Sequence, residues 1–355
     1  MKYIPYTFPS TILEFMHKYM TDQMNDLEHG VQKIIKSPSI AEYYATIPHV
    51  EIEKHHMEYH NALLRTFQLM TNEGLITPLH NSVGFDQEFH SNGFDPRLAK
   101  YGQYDFPIFG FQYLRDLFED AVKPIILNQG NKDRIEDIGT GFIVNSNNNF
   151  DDNFYFVTAR HCIPPNARIY VPAFLPPKKP CVPEKIYVPE NDQIDLAVIK
   201  FVHTEAIPGR EQNFWMGSPE ILDEILTMGY PPIQGFIDAI QVAEVSKISS
   251  FLKTTEGRIT GKGKHYWGGK EDHFLISARV KGGNSGGPVV NKKGEVVGVI
   301  IELFTDGGEL DKLGYGVALN VHVLRKMIEK IKGISSEINI KELEFAIFEN
   351  GFEIK

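Results

Sequence analysis

The sequence predicts a mostly β domain behind a mainly α-helical N-terminal domain. In residues 1–118, apolar side chains recur at helical spacing in two long stretches. Further along the chain, short apolar runs alternate with turns rich in glycine, asparagine and proline, which is typical of antiparallel strands. The segment 321–331 is again an amphipathic helix. We therefore expect domains at 1–118 and 119–334, followed by an extension at 335–355.

Three helices are expected in the N-terminal domain. The first begins at Ser10 or Thr11, with Glu14 placed for a capping box. The second spans about 50–72, and the third spans about 111–122. The apolar positions of these helices predict one helical core.

Two histidines of the second helix have a spacing that metal sites use. His56 and His60 stand one turn apart, but Met57 occupies the position where the zinc-protease pattern has glutamate. Two helical histidines do not complete a tetrahedral site. We expect a solvated polar face here, and neither a metal nor a cofactor.

A glycine-rich turn carries Ser285 into an apolar strand. Gly283 and Gly286 give the backbone angles that other residues avoid, and they leave the hydroxyl uncrowded. A serine nucleophile needs an uncrowded hydroxyl, together with backbone N–H groups that face a developing oxyanion. The alternative is a hairpin turn whose serine only caps its own backbone.

Two upstream motifs supply partners for this serine. His161 follows the apolar strand 154–157, and Asp195 precedes the buried strand 196–201. A nucleophilic serine requires a base, and the base requires an orienting acid. The order His161, Asp195, Ser285 is one of the three orders in which such triads occur.

These motifs resemble those of the trypsin-like (chymotrypsin-fold) serine peptidases. Residues 158–162, Thr-Ala-Arg-His-Cys, are similar to the family's Thr-Ala-Ala-His-Cys. Residues 195–198 match Asp-(Ile/Leu)-Ala-(Val/Leu), and 283–288, Gly-Asn-Ser-Gly-Gly-Pro, match Gly-Asp-Ser-Gly-Gly-Pro. The asparagine resembles the bacterial HtrA/Deg-like branch. The resemblance covers about residues 119–332, without a recognisable PDZ domain.

The resemblance implies two antiparallel β-barrels of the chymotrypsin type, at 119–205 and 215–320, with a C-terminal helix at 321–332. It assigns catalysis to His161, Asp195 and Ser285. The oxyanion hole would consist of the backbone N–H groups of Gly283 and Ser285. The other candidates for the acid are Asp192, Asp151 and Asp152.

A substrate pocket is also implied, by alignment on Ser285. Its six residues are Arg279, Val280, Ile301, Glu302, Leu303 and Gly316. If Arg279 points inward, it would select an acidic residue before the scissile bond. If it points outward, Val280 and Ile301 form a small apolar pocket. We expect the outward orientation, because an unpaired buried arginine is costly.

The amino-acid composition also argues for and against particular partners and locations. The net charge of −10 argues against nucleic-acid binding, which favours a basic surface. No apolar run is long enough for a transmembrane helix, so we expect no membrane association. Only two cysteines are present, Cys162 and Cys181, and secreted relatives are usually rich in disulfides. We therefore expect a cytoplasmic location.

The expected function is that of a serine endopeptidase acting on protein or peptide substrates. Asn284 replaces the aspartate that family members activated by cleavage use to bind a new N-terminal ammonium. We therefore expect residues 1–118 to regulate the enzyme or to recruit a protein partner. Two alternatives stay open: a catalytically latent binding module on a peptidase fold, and a partner-sensing effector protease, for example in bacterial defence.

The composition of one further stretch is similar to that of a phosphate-binding loop. Residues 257–264 are rich in glycine and lysine, but their spacing differs from that of a phosphate-binding loop and no helical pattern follows. We expect a surface loop there.

Overall fold

The computed structural model divides the chain into two compact units, Met1–Gly110 and Phe111–Lys355. The division falls inside helix α5 (Asp105–Phe118), where Gly110 has φ 72° and ψ −166° and interrupts the helical backbone. Glycine adopts such angles without a Cβ clash. The structure describes residues 3–24, 37–79, 84–128, 137–144, 154–163, 168–170, 183–201, 214–231, 252–263, 273–301, 316–343, 347–349 and 352–353.

The N-terminal unit is built from helices and one short pair of strands. Its elements before α5 are α1 (Pro9–Met24), α2 (Ile40–Ala45), α3 (His49–Asn72), β1 (Ile76–Pro78), β2 (Phe89–Ser91) and α4 (Pro96–Lys100). The helices bury one apolar core, which includes Ile12, Leu13, Met16, Tyr59, Leu63, Phe67 and Met70. Burial of these side chains at intervals of three and four residues accounts for the helical pattern in the sequence.

The start of α1 differs from the prediction. The backbone N–H of Ser10 donates to the buried carboxylate of Asp105 at 2.8 Å, so a residue 95 positions away caps this helix. The capping box lies instead at α2, where Ser39 and Glu42 bond to each other's backbone N–H groups at 3.1 and 2.6 Å. A rule based on neighbouring residues cannot find the distant cap.

The first sheet of the second unit carries the histidine and aspartate motifs. Its strands are β3 (Val122–Asn128), β4 (Asp137–Val144), β5 (Phe154–Thr158), β6 (Arg168–Tyr170), β7 (Pro183–Pro189) and β8 (Ala197–Phe201). They pair antiparallel in the order β6-β3-β4-β5-β8-β7. Because β5 and β8 are neighbours, the segments that follow β5 and precede β8 lie at the same end of the sheet.

The second sheet closes into a barrel. Its strands are β9 (Trp215–Met216), β10 (Glu224–Gly229), β11 (Lys253–Gly263), β12 (His273–Ile276), β13 (Pro288–Asn291), β14 (Glu295–Ile301) and β15 (Gly316–Asn320). Six pair in the order β13-β10-β11-β12-β15-β14, and pairing of β13 with β14 closes the ring. The mostly β fold class, with chymotrypsin-like sheets behind a helical N-terminal region, is confirmed.

The C-terminal residues return to the first sheet. After helix α6 (Val321–Ile331), β16 (Ile340–Leu343) pairs antiparallel with β7. The next strands are β17 (Ile347–Glu349), which pairs parallel with β6, and β18 (Phe352–Glu353), which pairs with β17. The extension therefore covers both edges of the six-strand group.

The prediction of a surface loop at 257–264 is wrong, because most of this stretch lies in β11. At Gly257, a Cβ would lie 2.3 Å from the backbone nitrogen of Ala278. The close approach of two chain segments therefore requires glycine in this strand, and glycine also makes the sequence look like a loop.

Candidate active site

A tight turn precedes Ser285. The N–H of Asn284 donates to the carbonyl of Lys281 at 3.0 Å, and Gly283 has φ 85°. These are features of a type II turn, which requires φ > 0 at its third residue. Among the described residues, the N–H groups of Gly283 and Ser285 have no hydrogen-bond partner.

Close packing explains why the residue after the serine is glycine. Gly286 has φ 84°, and a Cβ on it would lie 2.1 Å from the carbonyl oxygen of Thr140 and 2.7 Å from the nitrogen of Ala159. The serine loop therefore packs directly against β4 and against the segment that leads to His161. Ser285 itself is only 5% exposed.

Thr140 connects the serine loop to the first sheet. Its hydroxyl donates to the carbonyl of Gly283 at 2.6 Å and accepts from the N–H of Tyr230 at 3.0 Å. Its N–H donates to the carbonyl of Ser285 at 2.8 Å, and its carbonyl accepts from the hydroxyl of Thr158 at 2.7 Å. Sequence reasoning missed this role, because only the Gly-Thr-Gly pattern signalled it.

His161 and Asp195 contact each other through two hydrogen bonds. The backbone N–H of His161 donates to Oδ1 of Asp195 at 3.0 Å, and its Nδ1 lies 2.7 Å from Oδ2. Both side chains are about a fifth exposed, at 23% and 20%. One carboxylate therefore orients the imidazole while it also holds the backbone that carries it.

The environment of His161 shifts its basicity. Burial lowers the pKa of the imidazole, but the hydrogen bond to Asp195, the neighbouring side chain of Cys162 and the negative charge of Asp195 together raise it by more. The pKa therefore lies above the ordinary value of 6.5.

This shift predicts a pH dependence. A base must be unprotonated, so activity should fall as the pH drops through the pKa of His161, and the acid limb of kcat/KM should have its midpoint above pH 6.5. Asp195→Asn removes the charge, which should move that midpoint down and lower kcat by about 10⁴-fold. Steady-state kinetics between about pH 5 and pH 10 measure both effects. A midpoint unchanged by Asp195→Asn would contradict the assignment of the acid.

The other acid candidates are placed differently. Asp192 is 81% exposed, and its carboxylate binds Arg160 at 2.6 Å. Asp151 and Asp152 lie outside the described residues.

The residues expected in the substrate pocket are partly described. Arg279 is exposed, as the outward orientation requires, while Ile301 is 5% exposed. A Cβ on Gly316 would lie 2.6 Å from Val280, so these two residues are in direct contact. Glu302 and Leu303 lie outside the described residues. The pocket assignment stays a prediction.

The histidines of α3 form no metal site with the described residues. The ring of His60 stacks on Phe85, with centroids 4.2 Å apart, and His56 is exposed. Within the described ranges, no group of three or more histidine, cysteine, aspartate or glutamate side chains is placed to hold a metal ion.

Comparison with known proteins agrees with this geometry. Residues 139–299 match the family model for the trypsin-like peptidase domain. Residues 139–299 therefore have the sequence of a trypsin-like peptidase domain. Domains of this kind are those of serine endopeptidases, a class of hydrolase.

Relatives of this trypsin-like chain confirm the HtrA/Deg-like resemblance. Two are named "Probable periplasmic serine endoprotease DegP-like". The relative from Buchnera aphidicola is 26% identical over 55% of this chain and 36% of its own length. The relative from Ectopseudomonas mendocina is 25% identical over 61% and 40%. The chain thus spans about two fifths of the length of these relatives.

A solved structure is also similar, the serine endoprotease from Yersinia pestis. It is 22% identical, covers 62% of this chain and 65% of its own, and has a TM-score of 0.42.

The expectation of a cytoplasmic location is wrong, because the relatives are named as periplasmic proteins. The expectation depended on the small number of cysteines, and Cys162 is indeed a buried free thiol. A domain with a well-packed barrel core does not need disulfides, so the cysteine count does not identify its compartment.

No helix within the described ranges is both long and apolar enough to cross a membrane.

Proposed function

We propose that this protein hydrolyses peptide bonds through a triad of His161, Asp195 and Ser285 and an acyl-enzyme intermediate. The observation that carries the proposal is the imidazole of His161, held by Asp195 at 2.7 Å beside the loop of Ser285. The contacts of Thr140 and Gly286 that join this loop to the first sheet support it. An ordinary hairpin turn would need none of these contacts between the barrel and the first sheet.

The first half of the reaction forms the acyl-enzyme. Ser285 Oγ attacks the carbonyl carbon of the substrate while His161 Nε2 accepts the hydroxyl proton. Asp195 holds the proton on Nδ1 and stabilises the imidazolium that forms. The tetrahedral intermediate then collapses, and His161 gives its proton to the leaving amine.

The second half returns the free enzyme. Water attacks the ester carbonyl and transfers a proton to His161, which then protonates Ser285 Oγ as the carboxylic acid leaves. In both halves the N–H groups of Gly283 and Ser285 would stabilise the oxyanion. Loss of one such donor typically costs about 3–4 kcal/mol of transition-state stabilisation.

We also propose that the N-terminal unit regulates this activity or recruits a protein partner. Met1–Gly110 has a helical core of its own, and none of the proposed catalytic residues lies in it. The uncharged Asn284 before the serine supports this proposal, because it removes the partner that an N-terminal ammonium would need.

Labelling with a fluorophosphonate probe tests both proposals. Attack of a working serine on phosphorus forms a covalent adduct, and mass spectrometry should locate that adduct on Ser285. The fragment Phe111–Lys355 should label at a different rate from the full chain if the N-terminal unit regulates the site. Equal rates would contradict the regulatory proposal. Absence of labelling in both proteins would favour the latent binding module instead.

A further inference from the structure

The residue before His161 makes contacts that the catalytic proposal does not use. Arg160 is 22% exposed, and its guanidinium donates from Nη1 to the carbonyl of Pro189 at 3.2 Å and to that of Asn191 at 3.5 Å. Its Nη2 forms an ion pair with Asp192 at 2.6 Å. Pro189 is the last residue of β7, and Asn191 and Asp192 lie in the short loop that leads from β7 to Asp195.

Among the described residues, the loop is also held by a few local bonds and by one bond to the C-terminal extension, from the N–H of Glu190 to the carbonyl of Asn339 at 2.9 Å. The side chain of Asn191 accepts from the N–H of Gln193 at 3.0 Å, and the carbonyl of Asn191 accepts from the N–H of Ile194 at 3.1 Å. Ile194 is 3% exposed and anchors the end next to Asp195. These local bonds shape the turn, but they do not fix it against the segment that carries His161.

Arg160 and His161 together bind the loop at two points. Arg160 binds its beginning, and His161 binds its end through both bonds to Asp195. A planar guanidinium with several fixed donors is suited to binding two carbonyls and a carboxylate at once. The ion pair itself contributes little, because Asp192 is 81% exposed to water. The carbonyl contacts are therefore the part that positions the loop.

We propose that Arg160 is a positioning residue, which sets Asp195 against His161 by holding residues 189–192. The inference depends on the proposed triad for its effect on catalysis. The corresponding position of the resembling motif is alanine, so this contact belongs to this chain rather than to the family pattern.

The test replaces Arg160 with methionine and with lysine in the full chain. Arg160→Met should lower kcat/KM about tenfold to hundredfold, mainly through kcat, because a small misplacement of a catalytic group is costly. The midpoint of the acid limb of kcat/KM should move down by about one pH unit, because the contact between His161 and Asp195 weakens. Arg160→Lys should change kcat/KM and the midpoint of the acid limb less than Arg160→Met does, since lysine keeps one charged donor.

A matched control exists in the second barrel. Arg258 also binds a backbone carbonyl, that of Leu222 at 3.3 Å, and a carboxylate, that of Glu224 at 2.7 Å. Arg258→Met removes the same kinds of contact away from His161. It should leave kcat and the acid limb unchanged within about twofold.

NMR titration of the His161 ring provides a measurement that does not need activity. The ring signal is assigned by its loss in His161→Ala. A lower titration midpoint in Arg160→Met than in the wild type and in Arg258→Met supports the inference. This comparison holds even if the wild type neither reacts with the probe nor hydrolyses peptides. Such inactivity would contradict only the proposed function. An unchanged midpoint in folded Arg160→Met, or one shifted equally by Arg258→Met, would overturn the inference. Arg160→Lys serves for the same comparison if the methionine variant does not fold.

Discussion

Replacement of Ser285 with alanine should abolish peptide hydrolysis, with kcat lower by on the order of 10⁶-fold. The variant keeps the oxyanion donors and the pair of His161 and Asp195, so the remaining rate comes from binding and electrostatics alone. The change removes one oxygen atom, while Thr140 still bonds to the backbone carbonyls of Gly283 and Ser285. We therefore expect a thermal midpoint within about 2 °C of the wild type.

The control for this loss is a second serine of the same barrel. Ser277 is exposed, and its hydroxyl accepts from the backbone N–H of Arg258 at 2.9 Å. Ser277→Ala should retain the wild-type kcat. Steady-state hydrolysis of a fluorogenic peptide measures both variants. Retention of more than about a tenth of the wild-type kcat in Ser285→Ala would show that another group is the nucleophile.

Removal of residues 335–355 should destabilise the peptidase unit and lower its activity. The truncation exposes the edge of β7, because all four residues of β16 pair with it, and it removes the bond from the N–H of Glu190 to the carbonyl of Asn339 at 2.9 Å. At about 1 kcal/mol per hydrogen bond, the cost is about 3–5 kcal/mol. This corresponds to a thermal midpoint lower by roughly 6–20 °C.

The activity should fall as well, because Glu190 begins the loop that ends at Asp195. Thermal unfolding and kcat/KM, measured at a temperature where both proteins are folded, separate the two effects. Glu342→Gln is the control: it weakens only the exposed ion pair with Lys185 at 2.9 Å and keeps the backbone pairing, so the midpoint should change by less than about 2 °C. A truncated chain as stable and active as this control would contradict the prediction.

The sequence was informative where function depends on short local patterns. The motifs around His161 and Ser285 combine a strand with a turn of fixed composition, so both the fold class and the candidate residues could be predicted from them. Thr140 and Arg160 were missed because their roles depend on acceptors 143 and 29 positions away.

Two further predictions were wrong for different reasons. In β11, glycine serves close packing against Ala278, although the same residue type predicts a loop in an isolated stretch. The cytoplasmic location was inferred from cysteine content, which reports whether a fold needs disulfides and not where it works. Only comparison with relatives corrected it.

The return of the C-terminal strands to the first sheet has a consequence for folding. β7 and β16 are adjacent in space, yet every residue of the second barrel lies between them in sequence. Pairing over such a separation closes a long loop and is slow. A nascent chain that has already exposed His161, Asp195 and Ser285 still lacks the strand beside the loop of Asp195. The proposed activity would therefore develop only after β16 has been synthesised and has paired with β7.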